Sequence, residues 1–125
     1  MNGKKEAYYI YGRFSDGHGD VEETYRQVSG YTYRLVSPSP FPSFDFGITN
    51  YDVWGDKKGH WTATILPYGV KLLSGDTKAK TIEAVEAMAR DERFIRALPM
   101  FEKSYQEKLK GIRDKALERD GKGEA

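Results

Sequence analysis

Up to Gly75 the chain alternates aromatic and polar residues with a period of two, and beyond it apolar residues recur every three and four positions. A period of two puts successive side chains on opposite faces of a strand, whereas three and four build one stripe of a helix. This change of period predicts an α+β fold: an N-terminal antiparallel β-sheet meander followed by two C-terminal α-helices packing on it. At 125 residues the expectation is a single domain over 1–125, with the sheet at about 7–74, the helices at about 76–119 and a frayed tail at 120–125.

Ala7 to Phe14 reads as the first strand, with Tyr8, Ile10, Gly12 and Phe14 on one face and Tyr9, Tyr11 and Arg13 on the other. Asp20 could then cap a short helix in which Val21, Tyr25 and Val28 fall at i, i+4 and i+7; a long hairpin loop is the alternative. Tyr31 to Val36 alternates as a strand. Pro38, Pro40 and Pro42 lack amide donors and exclude a central strand, so that segment reads as a stiff connector or an edge.

Phe44, Phe46 and Ile48 are in phase, but Tyr51 and Val53 are not, which predicts a β-bulge near Thr49 and Asn50. Trp61, Ala63 and Ile65 alternate against Thr62 and Thr64, and Pro67-Tyr68-Gly69 turns the chain into VKLL. Asp76 or Thr77 opens a helix with Ile82, Val85, Met88 and Ala89 on one face. Asp91 restarts a turn, Pro99 fits the first turn of a last helix, and Phe101, Tyr105, Leu109, Ile112 and Ala116 form its stripe.

Twenty basic against 19 acidic residues leave a net charge of +1, which argues against both a general nucleic-acid coat and an acidic DNA mimic. With no cysteine the chain has neither disulfides nor thiolate metal sites. No apolar run suggests a signal peptide or a span, so the expectation is a cytoplasmic protein with no membrane contact and no sequence-specific DNA partner.

Asp16, His18 and Asp20, spaced by glycines, offer two carboxylates and an imidazole to a divalent metal that could activate water for phosphodiester hydrolysis. The same residues also suit a loop in which aspartates cap backbone donors, and the closing glutamate of a calcium loop is missing. His60, near Asp56, has no evident nucleophile beside it, and neither G-x-S-x-G nor G-x-x-x-x-G-K-[ST] occurs. These patterns favour a binding protein with no catalytic residues and no cofactor.

A nucleotide needs a flat ring for its base, a guanidinium for phosphate and an amide for base edges. Arg13, Arg34, Phe46, Asn50 and Trp54 supply these on the sheet, and Arg93 and Arg96, with Arg90, could form an anion patch where the helices join; the alternative is that the rings are core, the sheet arginines solvated, and the helix-junction run a solvated face balanced by Glu86, Asp91 and Glu92.

The segment His60–Met88 (HWTATILPYGVKLLSGDTKAKTIEAVEAM) resembles a hairpin-to-helix pattern common in small bacteriophage proteins. The complete layout is similar to the phage Thoeris anti-defence sponges, which sequester cyclic ADP-ribose-type immune signals. That resemblance implies a homo-oligomer, a dimer or higher, with pockets between protomers that hold a small cyclic nucleotide, of the cyclic ADP-ribose type or a cyclic oligonucleotide, without cleaving it. No diagnostic binding motif matches residue by residue, so the ligand-binding set rests on arginine and aromatic chemistry. The alternatives are an anti-CRISPR-like inhibitor whose tyrosine-rich face docks on a host effector, and a metal-dependent phosphodiesterase.

Overall fold

The computed structural model describes residues 3–15, 18–36, 43–50 and 60–122. Five strands, β1 (Lys4–Ser15), β2 (Val21–Leu35), β3 (Phe44–Thr49), β4 (Trp61–Leu66) and β5 (Val70–Gly75), pair antiparallel in chain order. Helix α1 (Lys78–Met88) follows, and then α2 (Glu92–Ser104), a π-helical turn (Tyr105–Leu109) and α3 (Lys110–Lys122) run on as one helical rod. The expected meander and its two C-terminal helices are therefore both present.

Val21 to Val28 is strand, not the short helix that its apolar spacing suggested. β1 pairs along its whole length with β2, from Lys4 opposite Thr32 to Ser15 opposite Val21. In that register Tyr25 and Val28 point to opposite faces, and both are buried. A strand thus uses both residues at once, where a helix would have needed them on one side.

A bulge occurs between β4 and β5. β3 keeps regular register with both neighbours, while between β4 and β5 Ala63 pairs with Leu73 and Thr64 with Lys71, which makes Leu72 the extra residue. Tyr51 and Val53, which prompted the expectation, lie outside the described residues, as do Pro38, Pro40 and Pro42.

One face of the sheet carries Tyr33, Leu35, Phe44, Phe46, Ile48, Ala63 and Ile65 against Val85, Ala89 and Phe94 of the helices. Thr77 caps α1 by accepting from the Lys80 amide at 3.1 Å, and Asp91 caps α2 by accepting from the Arg93 amide at 2.8 Å. Pro99 lies inside α2 and does not open a new helix. Farther along the same face, Tyr25 packs with Tyr105, Leu109 and Ala116. The helix continues past the expected fraying point, and Asp120 on it accepts a hydrogen bond from Tyr9.

The sheet bends back on itself. On the outer edge of β1 the Tyr11 amide donates to the Gly69 carbonyl at 2.8 Å, which joins β1 to the β4–β5 turn. Gly69 has φ of 76°, and a Cβ there would lie 2.8 Å from the Tyr9 carbonyl oxygen, so the closure requires glycine. The curl brings Leu66 against Tyr8, Ile10, Phe14 and Val28, which are buried on the face opposite the helices.

Candidate binding groove at the free edge of the first strand

In an antiparallel strand the N–H and C=O of one residue point to the same side, and successive residues alternate sides. Because the Tyr11 amide points away from β2, those of Tyr9, Ala7 and Lys5 do too. Tyr9 and Tyr11 meet Gly69, whereas Lys5 and Ala7 precede that closure. Among the described residues, the Tyr11–Gly69 bond is the one backbone hydrogen bond that the outer edge of β1 makes outside its own ladder.

Beside this open edge lie two adjoining hollows, of about 500 and 360 Å³, which share Glu6, Thr32, Leu66 and Pro67 as walls. Together they form a groove between β1 and the end of β4. Lys4, Arg34 and Asp45 line one end, and Tyr8, Tyr9 and Arg113 the other.

Charges at the first end are balanced. Arg34 and Asp45, cross-strand neighbours, pair at 3.4 Å with both side chains more than half exposed, and the Thr32 hydroxyl donates to the Glu6 carboxylate.

The other end is not balanced. Arg113 on α3 is half-buried; its Nη1 donates to the Tyr105 hydroxyl at 3.4 Å, and its Nε is buried without a partner. Among the described residues no carboxylate lies within ion-pair distance of it. Its neighbours are phenols. Burial, and then the hydrogen bond to Asp120, raises the Tyr9 pKa, and burial raises that of Tyr25. Both rings stay neutral at pH 7, so among the described residues the guanidinium charge has no compensating anion beside it.

Of the described residues expected to bind a nucleotide, Arg34 alone lines this groove. Phe46 has no exposed surface and stacks on Tyr33 with ring centroids 5.3 Å apart; it is core and offers no platform to a base. Arg13 is exposed toward the far end of β1, opposite Glu23. Asn50 borders a separate hollow with Lys5, Tyr31 and Trp61.

Arg93 pairs with Asp91 at 3.1 Å and Arg96 pairs with Glu92, so two of the three helix-junction arginines are matched by acids at the start of α2. The expected anion patch is accordingly neutralised at Arg93 and Arg96. Trp54, Asp16 and Asp56 lie outside the described residues. His18 and Asp20 are exposed, and among the described residues no three potential metal ligands cluster. His60 faces Asp76 at 3.8 Å.

Arg113 was the residue missed, although the sequence carried its signal. It follows Leu109 by four positions and precedes Ala116 by three, which places an arginine within the buried stripe of the last helix.

The structure defines an α+β protein in which helices cover one face of a curled antiparallel meander and a groove runs along one sheet edge. No family model matches the chain, and neither a curated protein nor a solved structure is significantly similar to it. Among the described residues no helix is long and apolar enough to cross a membrane.

Proposed function

We propose that this chain is a binding protein, acting without catalysis, that takes an extended segment of a partner protein as an added strand on the free edge of β1. The observation that carries this reading is the outward N–H and C=O of Ala7, which borders a groove, with those of Lys5 pointing the same way one pleat earlier and neither pair taken by backbone among the described residues. Strand addition draws affinity from such main-chain groups and specificity from the adjoining pockets. Lys4, Lys5 and Glu6 put charge on the edge, which discourages unselective pairing and leaves a matched partner favoured.

The test is selection of extended peptides from a random display library on the intact protein, followed by amide NMR mapping. Selected peptides should shift the Lys5 and Ala7 signals. They should bind Ala7→Pro at least about tenfold more weakly, since proline removes an N–H that the β1–β2 ladder does not use. Equal binding to Ala7→Pro, or shifts confined to other surfaces, would refute strand addition.

Sequestration of a cyclic nucleotide signal by a cytoplasmic homo-oligomer is the second reading. It is favoured by Arg34, which lies with Lys4 in a hollow of about 500 Å³. Glu6 and Asp45 in the same hollow oppose a polyanion, which ranks this reading below the first. Incubation with cyclic ADP-ribose isomers and cyclic oligonucleotides, removal of free ligand, heat denaturation and chromatography decides it. Release of an intact nucleotide supports it, and release of none rejects it.

A further inference from the structure

We infer that Arg113 recognises a carboxylate side chain on the incoming strand, at the position opposite Ala7. This inference rests on strand addition at the β1 edge and specifies the partner's chemistry. Residues directly opposite one another in an antiparallel pair share a face. Lys5, Ala7, Tyr9, Tyr11 and Arg13 lie on the helix-covered face of β1, and Ala7 is the one small side chain among them. A residue opposite Ala7 therefore has room to extend toward α3, where Arg113 borders the same hollow as Ala7.

The electrostatics select the sign of that residue. Arg113 is half-buried with a buried, unpartnered Nε, and it sits among neutral phenols without a carboxylate in reach among the described residues. Lys5 lies on the same face one pleat away. A partly desolvated guanidinium without a counter-ion is costly, and a carboxylate placed against it forms a charge-assisted hydrogen bond. Glu or Asp opposite Ala7 meets this demand. Lys or Arg there would add a second unbalanced cation.

The experiment uses the library-selected peptides on the full chain. Glutamate or aspartate is expected at one fixed position. Replacing it with the amide should weaken binding to wild-type protein about tenfold or more, and binding to Arg113→Gln less than about twofold, because the two changes remove the same interaction. The amide spectrum of Arg113→Gln shows whether the variant keeps the fold, and Arg113→Lys, which retains the charge, should recover part of the preference.

Peptides that shift the Lys5 and Ala7 signals but carry no acidic preference would overturn the role of Arg113 and leave strand addition standing. Peptides that leave those signals unchanged, or a library that yields no binder, would overturn both.

Discussion

The phenol of Tyr9 on β1 donates a 2.8 Å hydrogen bond to the Asp120 carboxylate on α3, which joins the first strand to the last helix across 111 positions of sequence. The donated bond, and then Arg119, holds the Asp120 pKa below its ordinary 3.8. A carboxyl depressed in the folded state adds stability above the unfolded pKa and loses it as pH falls through the folded value. Tyr9→Phe and Asp120→Asn should each cost about 1 kcal/mol or less at pH 7, since the pair is partly solvated, and should be less than additive together. Urea denaturation at pH 7 and in acid checks this; the gap between wild type and Asp120→Asn should narrow in acid.

Tyr8 makes the opposite case. Its ring lies so close to Gly47 that a Cβ there would sit 2.5 Å from Cζ, while its hydroxyl is buried without a partner. Burial alone raises its pKa, so the phenol stays neutral. Tyr8→Phe should be neutral or stabilising by about 1 kcal/mol, because it removes an unsatisfied polar atom. Gly47→Ala should cost about 1–3 kcal/mol through overpacking. Denaturant midpoints separate the two outcomes.

Phe46 and Arg34 should behave as core and surface. Truncating the fully buried ring in Phe46→Ala should cost about 3–5 kcal/mol, so any loss of ligand binding would accompany loss of fold. Arg34→Ala should change stability by about 0.5 kcal/mol or less, because its ion pair is exposed. Thermal denaturation run beside a binding assay tells the two apart.

Pro99 inside α2 removes the amide that would bond to the Ile95 carbonyl, and its own side chain is exposed. Pro99→Ala should therefore raise stability by about 1 kcal/mol or more. A higher unfolding temperature with unchanged ligand binding is the expected result, and an unchanged or lower temperature would contradict it.

The sheet and helices were legible because period two and period three-to-four differ over long stretches, as in Trp61 to Ile65 and in Ile82 to Ala89. Val21 to Val28 misled because an apolar spacing of four and three suits a helix face and also a strand buried on both sides; the pairing with β1 decides between them. Phe46 could be read as a stacking surface or as core because sequence does not say which face the helices cover, and its burial makes it core. For Arg93 and Arg96 the sequence left an anion site and a face balanced by Asp91 and Glu92 both open, and the ion pairs select the second. The groove was illegible for a different reason. It depends on the curl that brings Leu66 and Pro67 to β1 and on a rod that carries Arg113 there, and neither contact is local.

The pairing of β2 with β3 ends at Tyr31, so the outer half of the β1–β2 hairpin receives its helical cover from the rod that ends in α3. Synthesis runs in one direction, and this cover is made after the strands that it covers. While the intervening residues emerge from the ribosome, the rings of Tyr9, Tyr11 and Tyr25 await Tyr105, Leu109 and Ala116. A nascent chain stalled before Tyr105 would present that tyrosine surface to whatever is near, so the strands are most open to misassembly until the rod that covers them has emerged.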